Sequence, residues 1–146
     1  MDAVNRLIPS GRACFCGQMR MANRAVTAIY NRHLRAAGLQ ATQMNVLWAV
    51  AEAGSESIKK IAKVIVMDET TLLRNLRVLQ RRGLVSLTVG EDRRQRVATL
   101  TAAGRDQFAA ALPHWHLAQE EIGLAMGDAG LDTMFAKLRK LVRAIR

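Results

Sequence analysis

The sequence has none of the motifs on which common catalytic sites are built. Its 146 residues contain no Gly-x-Ser-x-Gly elbow, no His/Glu pair at metal-binding spacing and no glycine-rich phosphate loop. A reacting acyl, metal-bound or phosphate group would therefore have no recognisable site. We predict that the protein is not an enzyme and that it uses no cofactor or metal.

Long apolar segments and cysteines are also scarce. The chain has no run of about 18 apolar residues, and residues 1–13 lack the apolar stretch of a signal peptide. We therefore expect a cytoplasmic protein with no membrane partner. The only two cysteines, Cys14 and Cys16, should then be reduced thiols, and the histidines are too far from them in sequence for a zinc site.

Positive charge is present in excess. The formal net charge is +10, half of the residues are hydrophobic, and residues 55–105 hold eleven basic and five acidic side chains. This apolar content is enough for one folded domain with its own core, and the cations favour a polyanionic partner. Because the basic residues are spread over several segments, nucleic acid is favoured over an anionic membrane surface, which would need one amphipathic basic helix.

Helical periodicity and capping residues predict two helices in the first third of the chain. The first covers about residues 13–37 and is closed by Gly38. The second follows an N-cap at Thr42, has an apolar face, and ends near Gly54.

A short helix followed at once by a capped helix is predicted next. Ser57 can cap a helix over residues 58–64, and Asp68 can cap another over residues 69–82, which Gly83 ends. This order is typical of a helix-turn-helix.

The hydrophobic period then changes from that of a helix to that of a strand. Residues 85–89 alternate apolar and polar side chains, residues 90–95 form a charged turn, and residues 96–100 return as a second strand. A hairpin directly after a helix-turn-helix is a wing.

The last third of the chain is predicted to be helical. Thr101 caps its first helix, and interruptions are expected at Pro113 and around residues 127–130. The predicted fold is mainly α with a small β hairpin, a winged helix-turn-helix plus a helical dimerisation region. We divide this single domain, residues 1–146, into a DNA-binding part at about 40–105 and dimerisation helices at about 10–38 and 102–146.

The predicted helix over residues 69–82 has one apolar and one basic face. At about 100° per residue, its leucines at 72, 76 and 79 share one side. Thr70, Arg74, Arg77 and Arg81 fall on the opposite side, with Thr71 beside them and Leu73 on the flank. Arginine donates to guanine, and threonine and leucine contact thymine methyl groups, so this face suits the major groove. The alternative is a solvated charged face.

The predicted wing concentrates charge at its tip, where Asp92, Arg93, Arg94 and Arg96 crowd together. A tight positive cluster is costly unless an anion meets it, and a narrow minor groove accepts arginine. We expect the Asp92 carboxylate to hold an arginine or the turn backbone. The wing argues against the alternative of a basic protein-interaction module.

Two segments carry a family resemblance. Asp92-x-Arg94, five residues, then Leu100-Thr101-x-x-Gly104 resembles the wing-to-helix signature of the MarR family, and the stretch from Asp68 to Val85 resembles its recognition helix. The likeness covers about residues 12–146. It implies a homodimeric transcriptional regulator that binds palindromic double-stranded DNA, usually a repressor released by a small ligand or an oxidant.

Apolar residues outside the winged part support a dimer. They recur at helical spacing in the first and last helices, at Met19, Met21, Val26, Ile29, Tyr30 and Leu34, and at Leu131, Met134, Phe135, Leu138, Leu141, Val142 and Ile145. A single small winged domain would not need all of them, so a two-fold partner is expected to bury them. The alternative is packing within one chain.

Aromatic residues predict an effector pocket. A break at Pro113 would place His114 and Trp115 beside Tyr30 and Trp48, between the dimerisation and DNA-binding parts, where effectors often bind in the resembling family. A phenolic compound is the expected effector. The alternative is a core tryptophan with ordinary histidines.

Cys14-Phe15-Cys16 gives a second possibility for regulation. Some MarR-like regulators sense organic peroxides through a cysteine early in the first helix, although Arg20 stands where such sensors have a supporting tyrosine. Within a helix the two thiols would point about 200° apart, too far for a bridge. We expect burial among apolar neighbours, so two small hydrophobic side chains at the dimer seam are the favoured interpretation over a redox site.

Overall fold

A computed structural model describes residues 14–54 and 56–145. The first helix, α1 (Phe15–Leu34), is capped by Cys14 and followed by a 3-10 turn, Arg35–Ala37. The turn ends at Gly38, whose φ of +64° confirms the predicted glycine cap. The predicted start at Ala13 lies outside the described residues.

The second helix, α2 (Ala41–Ala53), begins earlier than predicted. Its N-cap is Gln40, so the prediction of Thr42 is wrong. The side chain of Gln43 accepts the Gln40 N–H at 3.0 Å, and Asn31 Oδ1 accepts the Ala41 N–H at 2.7 Å. These two acceptors satisfy free amides at the helix start, which leaves Thr42 exposed in the first turn.

The helix-turn-helix follows as predicted. Helix α3 (Ile58–Val64) is capped by Ser57, whose Oγ accepts the Lys60 N–H at 3.3 Å. Helix α4 (Glu69–Arg81) is capped by Asp68. The helix ends one residue before the predicted end.

The predicted hairpin is confirmed with the same strand bounds. Strand β1 (Val85–Val89) pairs antiparallel with β2 (Arg96–Leu100), in a register that places Val85 opposite Leu100. The turn between them is closed by the Gly90 N–H, which donates to the carbonyl oxygen of Gln95 at 2.9 Å.

The expected break at Pro113 does not occur. Helix α5 (Ala102–Met126) runs through this residue, and only Gly127 (φ +71°) separates it from α6 (Asp128–Ala144). Proline removes one backbone hydrogen bond. Buried Ala111 and Ala118 on either side of Pro113 fix both halves of α5 by packing, which outweighs that loss.

The core lies in the winged part of the chain. Its fully buried side chains include Leu34, Leu47 and the leucine row of α4. Outside it, α5 packs along α1, where Arg32 and His33 both bind Glu121. These two bonds hold the pKa of Glu121 below its ordinary range. No helix in the described ranges combines the length and apolar character that a membrane crossing requires.

Candidate nucleic-acid interface

Helix α4 separates its apolar and basic faces. Leu72, Leu76 and Leu79 are fully buried, because the three leucines face α2, α3 and the hairpin. The opposite face carries exposed side chains at Thr70, Arg74, Arg77 and Arg81. The rigid core beneath therefore fixes the direction in which the basic row projects.

Asp68 stabilises the start of α4. Its Oδ1 accepts the Thr71 N–H at 2.8 Å. Hydrogen bonds from Thr71, with a smaller contribution from the charge of Arg74, hold the pKa of Asp68 below its usual value. Thr71 itself is half-buried, and Leu73 packs partly against the core, so each offers less surface to a groove than Thr70 does.

Arg82, one of the eleven basic residues within residues 55–105, has a structural role that the sequence did not indicate. Its guanidinium donates to the Gly38 carbonyl oxygen at 2.9 Å and to Gln43 Oε1 at 3.3 Å. It therefore ties the end of α4 to the start of α2. By contrast, the guanidinium groups of Arg77 and Arg81 have no hydrogen bond or ion pair to any described residue.

The wing tip is organised by its one aspartate. Asp92 Oδ1 accepts the Arg94 N–H at 3.0 Å, and the Asp92 carbonyl oxygen accepts the Gln95 N–H at 2.8 Å. Of the two expected roles for this carboxylate, the structure shows the backbone one. The side chains of Arg93, Arg94 and Arg96 are exposed, which leaves three cations at one tip.

A close contact joins the wing to α5. Thr101 Oγ1 donates to the Gly83 carbonyl oxygen at 2.6 Å and accepts the Gly104 N–H at 2.9 Å. A Cβ on Gly104 would lie only 1.9 Å from the Leu84 carbonyl oxygen, so only glycine fits. The Leu-Thr-x-x-Gly segment thus fixes the end of α4, the start of the hairpin and the start of α5 together.

A cleft of about 290 Å³ lies between α1, α2 and α5. It brings together three of the four residues predicted for an effector pocket, Tyr30, Trp48 and Trp115. His114 is half-buried and does not line it. The two indole rings are 5.3 Å apart between centroids, and Phe108, which the sequence did not single out, contacts Trp48 edge-on at 5.6 Å.

The single chain does not bury the cysteines, and their burial at a dimer seam stays a prediction. Both thiols are exposed, and Phe15 between them is 64% exposed. The first turn of α1 has no core side chain beneath it, since the only fully buried residue of α1 is Leu34. Cys14 is the N-cap in an extended conformation, so the argument from helical geometry against a bridge to Cys16 does not apply.

The described residues contain no cluster of three or more His, Cys, Asp or Glu side chains that could hold a metal ion. The described residues bring together a basic helix face, a basic wing tip, a separate aromatic cleft and two exposed thiols. The basic helix face and the basic wing tip both project from one winged helix-turn-helix unit, as a surface that binds duplex DNA requires.

Comparisons with known proteins agree with this geometry. Residues 39–104 match the model of a winged helix DNA-binding domain. The structure of the Mycobacterium tuberculosis transcriptional regulator MosR in complex with DNA is 34% identical, with 91% of this chain and 98% of that chain covered and a TM-score of 0.79. Escherichia coli MarR is 23% identical, with 92% and 97% covered and a TM-score of 0.70.

A curated relative is more distant. The uncharacterised HTH-type transcriptional regulator YwoH of Bacillus subtilis is 25% identical over 91 residues, which span 62% of this chain and 66% of that protein.

Proposed function

The chain belongs to the MarR family of winged helix-turn-helix, DNA-binding transcriptional regulators, and from this premise we propose that it is a homodimeric repressor of a palindromic operator that a small aromatic effector releases. The observation that carries the DNA-binding role is the joint exposure of the α4 arginine row and the wing arginines on one rigid unit. Gel shifts on the protein's own promoter at several salt concentrations test it. Binding should weaken steeply as salt rises.

The proposed dimer accounts for apolar side chains that the single chain leaves uncovered. In α6 no residue with a described side chain is fully buried. Met134 and Phe135 on the helix, and Ile145 directly after it, are exposed. A two-fold partner would cover them and present two recognition helices to two half-sites. The cleft supports the effector proposal, because it joins α1 and α5 to α2, and α2 packs on α4.

Base readout is assigned to Arg74 and Arg77, with Thr70, Thr71 and Leu73 contributing. We expect Arg74→Ala to lower the affinity for operator DNA by about 1–3 kcal/mol and to leave binding to random DNA much less affected. Titrating both DNAs at the same salt concentration gives the ratio of operator affinity to random-DNA affinity. An equal loss on both sequences would identify Arg74 as a phosphate contact instead.

The wing is assigned to the minor groove through Arg94, between Arg93 and Arg96. We expect Arg94→Ala to weaken operator binding by about 1–3 kcal/mol, since a guanidinium in a narrow groove meets concentrated negative potential. Arg143→Ala removes the same charge from an exposed position of α6, far from the hairpin in sequence, and serves as the control. If Arg94→Ala binds operator DNA as tightly as Arg143→Ala does, the hairpin does not read DNA.

A second candidate function is a repressor that senses organic peroxide through Cys14 or Cys16. The exposure of both thiols in the single chain favours it. In this alternative, the thiol attacks an organic hydroperoxide and becomes a sulfenic acid, while the O–O bond breaks and the peroxide leaves as an alcohol. The modified first turn then disturbs the dimer.

Peroxide and thiol-free protein separate the two candidates. If the effector cleft alone controls release, the Cys14→Ser, Cys16→Ser double variant and the native protein should both stay on DNA in mild organic peroxide. Release of the native protein alone would instead establish the thiol mechanism. Fluorescence anisotropy of labelled operator measures both proteins under the same conditions.

A further inference from the structure

Polar links join the end of the recognition helix α4 to both α1 and α5, two of the helices assigned to the dimer. The guanidinium of Arg82, directly after α4, donates to the Gly38 carbonyl oxygen at 2.9 Å, at the end of the turn that follows α1. The carbonyl oxygen of the next residue, Gly83, accepts a hydrogen bond from Thr101 Oγ1 at 2.6 Å, at the start of α5. Two successive residues at the end of α4 are therefore bonded in two directions.

A third link, between α5 and the turn after α1, closes a ring. Gln107 on α5 is half-buried and donates from Nε2 to the Ala37 carbonyl oxygen, in the same turn that Arg82 reaches. We call the resulting set the junction ring; it consists of residues 37, 38, 82, 83, 101 and 107. Because the ends of α1, α4 and α5 are bonded pairwise in it, one of them cannot shift relative to the other two without breaking a link.

Arg82 differs from the arginine that precedes it. Both of its terminal nitrogens donate within the protein, Nη2 to the Gly38 carbonyl oxygen and Nη1 to Gln43 Oε1 at 3.3 Å, in the first turn of α2. Arg81 is exposed, and its guanidinium has no hydrogen bond or ion pair to any described residue. A planar guanidinium holds two acceptors in fixed directions, which a lysine ammonium does not. Arg82 is therefore suited to orient the backbone, whereas Arg81 is available to a phosphate.

The links of the junction ring contribute orientation more than stability. Arg82 is exposed, and Thr101 and Gln107 are half-buried, so water can replace much of each bond and the net gain in folding free energy is small. The apolar core already holds the winged part together. Apolar burial has no preferred direction, whereas hydrogen bonds have a narrow range of angles. The ring therefore fixes the angle at which α4 stands relative to α1 and α5.

We propose that Arg82 is a positioning residue that orients the recognition helix relative to α1 and α5, and thereby sets the spacing between half-sites that the dimer accepts. The proposal rests on the proposed binding of a homodimer to a palindromic operator. In a two-fold dimer, any rotation of α4 against α1 and α5 is repeated in the partner, so it changes both the separation and the relative angle of the two recognition helices. Loss of the Arg82 link leaves the contacts with each half-site in place and relaxes the match between the two.

Operators of altered spacing test the proposal. Full-length protein is titrated with duplexes that carry the two half-sites of its own promoter, either at their natural spacing or with one or two base pairs inserted between them. Each inserted base pair separates the half-sites by about 3.4 Å and turns them by about 35°. The native protein should prefer the natural spacing by about ten-fold or more, because a mismatched spacing hinders simultaneous binding of both half-sites. Arg82→Lys should reduce this preference to about three-fold or less.

The neighbouring arginine provides a matched control. Arg82→Lys keeps the charge and loses the guanidinium fork, so a phosphate contact at this position would survive the change and the positioning role would not. Arg81→Lys makes the same change one residue earlier, at a side chain with no link to α1 or α5, and should keep the native spacing preference. Circular dichroism verifies that both variants are folded. An unchanged spacing preference in Arg82→Lys, or an equal loss of preference in Arg81→Lys, overturns the proposal.

Salt dependence separates a positioning role from a DNA contact. Arg82→Met removes the charge and keeps an unbranched side chain. On a duplex with one half-site, the logarithm of its affinity should fall with the logarithm of salt concentration at the native slope, whereas loss of a phosphate contact would reduce the slope by about 1. A slope reduced in this way identifies Arg82 as a DNA contact and overturns the proposal.

Gln107→Met tests the junction ring without any change of charge. It removes the donor to the Ala37 carbonyl oxygen and keeps the length of the side chain. The variant should relax the spacing preference as Arg82→Lys does, because both open the same ring. A native spacing preference in both Gln107→Met and Arg82→Lys shows that the core alone orients α4.

The same titrations separate the positioning role from the proposed function. If the native protein binds a duplex with one half-site as tightly as a duplex with two, the palindromic homodimer fails and the positioning role fails with it. If the native protein requires both half-sites and Arg82→Lys keeps the full spacing preference, only the positioning role fails.

Discussion

Leu138→Glu should convert the dimer to monomers and reduce operator affinity about a hundred-fold or more. Leu138 is half-buried on α6, within the apolar row that the single chain leaves largely uncovered. A carboxylate in a two-fold interface would meet its own copy or apolar surface, and neither compensates its desolvation. Each monomer would then hold one half-site alone, and the gain from linking two sites would be lost.

Sedimentation and DNA titration on the same samples measure this prediction. Thr133→Glu adds the same charge at an exposed position of α6, away from the apolar row, and should remain dimeric. Circular dichroism confirms that both variants are folded. A native protein that is monomeric yet binds the operator fully would overturn the dimer proposal, as would a Leu138→Glu dimer with unchanged affinity.

Gly104→Ala should destabilise the winged part and weaken DNA binding. The added Cβ would lie 1.9 Å from the Leu84 carbonyl oxygen, and this oxygen also accepts the Thr101 N–H at 3.1 Å. The backbone on both sides must shift to make room for the Cβ. We expect this shift to lower the free energy of unfolding by about 1–3 kcal/mol or more. Because Gly83 and Thr101 share this junction, the shift would also move the wing relative to α4.

A second glycine of α5 provides a matched control. At Gly123 the added Cβ finds its nearest neighbour, a Leu131 methyl, at 3.9 Å. Gly123→Ala should therefore be neutral or stabilising, by up to about 1 kcal/mol, because alanine favours helix more than glycine does. Urea titrations of both variants measure the difference. Equal stabilities would contradict the steric role of Gly104.

The sequence alone was sufficient for features that depend on near neighbours along the chain. The caps at Ser57, Asp68 and Thr101 each bond an amide three residues ahead, so composition and spacing identify them. The leucine face of α4 and the alternation of the hairpin follow from fixed periods. These local rules were enough to place the basic helix face and the charged wing tip.

Contacts between distant residues could only be decided by the tertiary structure. Pro113 stays inside a helix because buried neighbours hold both of its sides, and Arg82 is bonded to a carbonyl 44 positions earlier in the chain. His114 lies outside the cleft, because Trp115 packs against Trp48 and takes the inward position. Cys14 and Cys16 are exposed, since no core side chain lies beneath the first turn of α1. Each of these outcomes depends on what packs against a residue, and periodicity along one helix carries no information about that.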